Sequence, residues 1–227
     1  VTDLEEAILR ALEGAGVEGP PVEVGHVLRF LGLDDINWDY QAPAHDVALY
    51  FDPQKGKQRI RMPARRATCR QSFDLAHECV EFIALREGLK TPHWKVNRAA
   101  AELLLPSAWV TRCLEEKGFD LFALHCRFST ASLEVCAQKM RTLAPGPTIL
   151  TVADSRGQRR RFFSPYLAER PISDFEKAVL EEAFTLFQPF RRSLKGVQCQ
   201  VYPLPSEKTR TVSKVYLFAC LGWGNGA

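Results

Sequence analysis

The tripeptide Pro145-Gly146-Pro147 limits what this chain can fold into more than any other feature. Proline cannot donate to a helix or an interior ladder, and glycine between two prolines turns freely, so no regular element runs through it. Before it, apolar residues recur mostly at helical spacing. After it, they gather into short β-rich runs. The expectation is therefore an α+β chain in two parts, for which 227 residues is ample. A chain of this size buries about 70% of its unfolded surface and needs no disulfide or metal to hold a core.

The N-terminal part opens with a capping-box pattern, Thr2-Asp3-Leu4-Glu5, ahead of Leu4, Ile8, Leu9 and Leu12. Gly14 and Gly16 stop that helix. A second helix follows Pro20-Pro21 and ends at Gly32. Residues 46–51 and 57–62 flank the turn-rich DPQKG and read as a β-hairpin. Helices are expected at about 68–88, 94–104, 107–117 and 120–126, then one capped by Ser129. Beyond the tripeptide come two strands, a helix from a second capping box at Ser173–Glu176 to about 188, and two more strands. That makes a ββαββ module.

No window holds 18 consecutive apolar residues, so no spanning helix is expected. The acidic amphipathic start VTDLEEAILR is unlike a signal peptide. Seven scattered cysteines without a C-x-x-C pair read as reduced thiols. Together these predict a soluble cytoplasmic protein with no membrane partner. Charge is uneven: residues 1–54 carry eleven acids against Arg10 and Arg29, whereas 55–70 carry seven bases and no acid. Such a run reads as a solvated face or as a contact for an acidic partner or nucleic acid.

Chemistry concentrates in Phe73-Asp74-Leu75-Ala76-His77-Glu78-Cys79-Val80-Glu81. His77 and Glu81 lie four apart, one turn above each other on a helix. Glu78 is offset enough to reach a water on a metal at that face. The spacing is that of H-E-x-x-H hydrolases with glutamate in the second histidine position, and zinc accepts carboxylate as readily as imidazole. The plain alternative is an amphipathic helix whose charges are solvated.

The surroundings resemble the ImmA/IrrE family of metallopeptidases over about residues 15–145. Three stretches carry the resemblance: Gly16–Val24 before a helix ending at Gly32, Arg70 with Phe73–Glu78, and Asn97–Pro106. It implies a zincin-like domain over 1–118 and a helix-turn-helix-like segment over 119–145; the ββαββ module then stands as a small α+β domain over 147–227, for sensing or partner docking. Counting four back from Asn97, where the family carries a glutamate ligand, lands on His93. Glutamate and histidine have thus exchanged places with Glu81. The implied site is His77, Glu81 and His93 as ligands to Zn2+, or alternatively Mn2+, with Glu78 as general base. The implied activity is site-specific cleavage of a helix-turn-helix repressor in a stress or mobile-element response. The rival expectation is a non-catalytic regulatory module that binds protein or DNA around a vestigial or structural metal site. Lys139 and Arg141 are too few bases to make the 119–145 helices a strong DNA contact. Glu102, an acid on the same helix as His93, is expected to be exposed or ion-paired. His26, His45 and His125 are expected to be structural or solvent-exposed.

Overall fold

A computed structural model of the chain describes residues 3–43, 47–64, 68–165, 167–206 and 211–221. Thr2 of the first capping box and His45 lie outside them. The chain forms two compact units, one running through Cys136 and the other from Ala137 onward.

The first unit is mostly helical. α1 (Asp3–Gly14) buries Leu4, Ile8, Ala11 and Leu12 along one stripe. α2 (Val24–Leu31) ends on Gly32, whose φ of 74° is the left-handed cap that a side chain would strain. A three-stranded sheet follows, made of β1 (Ile36–Asp39), β2 (Ala48–Asp52) and β3 (Lys57–Pro63). The expected hairpin is there, with β2 antiparallel to β3. β1 was not expected from the pattern; it runs parallel to β3 on its other side. Part of the charge asymmetry is met here. Lys55, Lys57 and Arg59 of the basic run pair with Asp35 of the acidic segment at 2.8, 3.2 and 2.8 Å. Arg59 also reaches Asp52 at 3.0 Å. Hydrogen bonding from Lys55 above all, with Lys57 and Arg59, holds the Asp35 carboxyl well below the usual carboxylate range.

α3 (Thr68–Arg86) and α4 (His93–Leu104) pack together and against α1. Ala76, Cys79, Val80, Ile83 and Ala84 form the buried stripe of α3, recurring at three and four residues. Val96, Ala99, Ala100, Leu103 and Leu104 do the same on α4. α5 (Ser107–Lys117) and α6 (Leu121–Arg127) follow. Asp120 caps α6 by accepting from the N–H groups of Phe122 and Ala123. α7 (Leu133–Leu143) begins later than expected. Its cap is Ser132, whose hydroxyl accepts from Val135 N–H, and Ser129 sits in the preceding turn.

The second unit carries a five-stranded antiparallel sheet, β5-β4-β8-β7-β6. Its strands are β4 (Thr148–Asp154), β5 (Arg159–Phe163), β6 (Phe190–Leu194), β7 (Val197–Pro205) and β8 (Val212–Leu221). The expected ββαββ is thus corrected to ββαβββ. β6 is an exposed edge strand without the alternation that marks a half-buried one. It turns into β7 through Lys195 and Gly196 with φ of 48° and 77°, a pair of positive φ values that suits a tight hairpin. α8 (Asp174–Ala183) is shorter than expected and packs on β7 and β8. Ile149, Val179, Leu180, Val201, Val215 and Leu217 form the core between helix and sheet. Leu150, Tyr216 and Phe218, on alternate positions of β4 and β8, are buried as well. Each such apolar side chain contributes about 1.5–3 kcal/mol over remaining exposed. Among the described residues no helix is long and apolar enough to cross a membrane. The fold is α+β with two sheets.

Candidate metal centre

α3 places His77 and Glu81 one turn apart, and α4 supplies His93 from its first residue. The chain reaches that position by a left-handed Gly88, φ 67°, and an extended Pro92 at the N-cap. Ligand atoms of His77, Glu81 and His93 all lie within 4.8 Å of one another. The two rings stand 4.8 Å apart between centroids, tilted by 48°. His77 Nε2 is 3.2 Å from Glu81 Oε1. The side chain of His77 is 12% exposed and that of Glu81 40%, so one ligand is walled in and its neighbour faces water. His93 is exposed. Two imidazoles and a carboxylate suit a borderline divalent cation such as zinc, and three protein groups leave coordination positions open.

Asn97, one turn beyond His93 on α4, stands between the rings. Its Oδ1 is 2.9 Å from His77 Nδ1, and its Nδ2 is 3.2 Å from His93 Nδ1. With the amide in this orientation, His77 faces an acceptor at each ring nitrogen: Asn97 Oδ1 at one and Glu81 Oε1 at the other.

Glu78, beside His77 on α3, is not one of the three clustered donors. It is 5% exposed, and its Oε2 accepts the N–H of Leu49 on β2 at 2.7 Å. Burial, then the charge of Glu81, push its carboxyl above the usual glutamate range, against the opposing pull of His77 and the Leu49 N–H. Cys79, between the two α3 residues, is fully buried, and burial pushes its thiol well above the usual cysteine range, so it stays protonated. Glu102, expected at the surface or in an ion pair, is half-buried. It accepts from Ser107 N–H at 2.6 Å and Ser107 Oγ at 2.9 Å, tying down the first turn of α5. His26 is exposed, and burial lowers the partly buried His125 below the usual histidine range. Sequence reasoning singled out the three clustered residues but gave Asn97 no role at the site. Its i,i+4 spacing from His93 was the available signal.

No family model matches the chain, and no curated protein matches it. A solved structure described as a Mycobacterium tuberculosis transcriptional regulator matches it with a TM-score of 0.66 at 17% identity, covering 100% of this chain and 93% of that one. The two share a fold. This corrects the expectation of a protease or hydrolase of the ImmA/IrrE family acting in a stress response. Neither a family model nor a curated relative places the chain there, and the structure it resembles along its whole length is named for transcriptional regulation. What stands is an α+β fold shared with a transcriptional regulator and a His/Glu/His cluster with the chemistry of a metal site.

Proposed function

We propose that this chain is a metal-binding regulatory module that acts by binding a protein partner. A divalent cation held by His77, Glu81 and His93 clips α3 to the start of α4, and the open positions face solvent. The observation that carries this reading is the convergence of three donor atoms from two helices within 4.8 Å. Glu78 fits the binding role in that one of its carboxylate oxygens accepts the Leu49 N–H of β2 and ties that strand to α3. The shared fold with a transcriptional regulator supports the same direction. A protein partner is favoured over DNA by the state of α7. Of its two bases, Arg141 is desolvated and donates to the carbonyl of Phe163 and to Gln138, which leaves little charge for phosphate.

Elemental analysis of the purified full chain after loading with Zn2+ or Mn2+ tests the centre, and one ion per chain, lost in His77→Ala, is expected. Affinity capture with and without chelator, followed by mass spectrometry, tests the role. The expected result is an intact protein partner retained only with metal. A chain that takes up no stoichiometric metal, a captured partner that is cleaved, or metal-dependent capture of DNA alone would each overturn the reading.

A further inference from the structure

The second unit contains a cavity of about 460 Å³, lined by Arg161 and Phe163 of β5 and by Glu169, Arg170 and Pro171 of the loop before α8. Small-molecule sites fall in the range of about 300–1,000 Å³. Both arginines pair with the one buried carboxylate of Glu176, so that carboxylate balances only one of the two positive charges.

The two guanidiniums are held differently. Arg161 uses all three nitrogens: Nε on Thr151 Oγ1 at 3.3 Å, Nη1 on the Arg170 carbonyl at 2.5 Å and Nη2 on Glu176 Oε1 at 2.7 Å. It also lies over the Phe163 ring, 5.3 Å from the centroid. Arg170 uses one nitrogen. Its Nη1 donates to Glu176 Oε2 at 2.8 Å and approaches the Pro171 carbonyl at 3.5 Å. Its Nε and Nη2 meet no acceptor among the described residues. Those two nitrogens form the straight edge of a guanidinium, whose parallel N–H bonds match the two oxygens of a carboxylate. Glu169, next in the chain and exposed, makes no ion pair with Arg170 among the described residues and leaves that edge unfilled.

We propose that this cavity binds a small organic carboxylate, with its two oxygens on the Nε–Nη2 edge of Arg170 and its apolar body against Phe163 and Pro171. The bond to Glu176 orients Arg170 before the ligand arrives, so little side-chain freedom is lost on binding. Glu169, at the rim, weakens the site by its like charge. Every lining residue belongs to the second unit, so the site stands whether or not the first unit holds a metal ion.

NMR of the full chain during titration with benzoate tests this, at constant ionic strength with chloride as the balancing anion. Saturable shifts of the Arg170 Nε–H and of the backbone amides of residues 161, 163 and 170 are expected. Arg170→Lys keeps a positive charge for Glu176 and removes the two-nitrogen edge, so it should bind benzoate about tenfold more weakly. Glu169→Gln removes the opposing charge and should bind it about twofold to fivefold more tightly. Shifts that chloride alone reproduces overturn the proposal, as does unchanged affinity in Arg170→Lys. Inorganic phosphate bound as tightly as benzoate would show that the apolar wall contributes nothing and would overturn the assignment to an organic carboxylate. Should Arg170→Lys fail to fold, Glu169→Gln still decides, because unchanged or weaker binding in that variant places the anion elsewhere.

Discussion

His77 and Glu81 meet because a helix repeats every 3.6 residues, but His93 joins them only because α4 packs on α3. Residues that share one centre respond non-additively to substitution, and this pair carries a specific form of that rule. Glu81→His leaves three imidazoles. His93→Glu leaves one imidazole and two carboxylates, a harder set less suited to zinc. The double exchange restores two imidazoles and one carboxylate, so it is expected to hold Zn2+ more tightly than His93→Glu alone. Competition with a metallochromic chelator across the four chains measures this, and strictly additive effects would argue against a shared ion. Glu78 should behave differently. Glu78→Gln keeps an acceptor for Leu49 N–H and removes no ligand, so full metal stoichiometry is expected. Glu78→Ala orphans that N–H and should cost about 1–3 kcal/mol in denaturant unfolding.

At the scale of elements, α8 shows how much one local motif holds. Ser173 accepts from Glu176 N–H, and the Glu176 carboxylate returns to Ser173 N–H and Oγ. That fully buried carboxylate also pairs with Arg161 at 2.7 Å and Arg170 at 2.8 Å, which fastens the helix start to β5 and to the loop before it. Burial alone would raise the Glu176 carboxyl, but the Ser173 hydrogen bonds and then the two guanidiniums hold it below the usual glutamate range. The sign follows from linkage. A depressed folded value contributes stability that is present above the unfolded glutamate value, near 4.3, and is lost as pH falls through the folded value. Glu176→Gln should therefore cost about 1–3 kcal/mol at neutral pH, the low side of a broken buried pair because both arginines keep some water contact. The loss should shrink below about pH 4, where the unsubstituted carboxyl is itself protonating. Ser173→Ala should cost about 1 kcal/mol at neutral pH, and the part due to the lost cap on Glu176 N–H should persist in acid. Urea titrations at pH 3.5 and pH 7 separate the two, and an equal Glu176→Gln penalty at both would show that its charge contributes nothing.

For the whole molecule, the chain divides into two compact units, and Asn97 and all three proposed ligands lie in the first. The division falls inside α7, so a cut at Cys136 would halve a helix. A chain ending at residue 145 keeps α7 whole and is expected to fold and bind Zn2+ with the affinity of the full chain. Calorimetry of the full chain should then show two transitions, only one of them shifted upward by Zn2+. A single cooperative transition, together with an insoluble fragment, would mean that the two units share their stability.

Most helices and the β2–β3 hairpin were legible in the sequence because their signals are local. Leu4, Ile8 and Leu12 mark a face, Gly32 and Gly88 mark ends, and Ser173 with Glu176 marks a start. Each acts within one or two turns, where spacing alone settles which groups meet. Ser129 failed as a cap for the same reason, since Ser132 offers the same hydroxyl one turn closer to the helix. The family resemblance pointed to three residues that do cluster, and to a chemistry that the fold comparison did not support. The other features were decided by the tertiary structure. β1 pairs parallel with β3, and β6 is ordered by β7; neither strand carries an alternation of its own. Asp35 pairs with three bases of a run that begins twenty residues onward. Glu78 Oε2 accepts an N–H from a strand of the sheet. Asn97 reaches two rings on two helices. A hydrogen bond or ion pair depends on ångström distances between groups far apart in the chain. Periodicity specifies the face on which a side chain stands, and only the packing of one face on another determines what it meets.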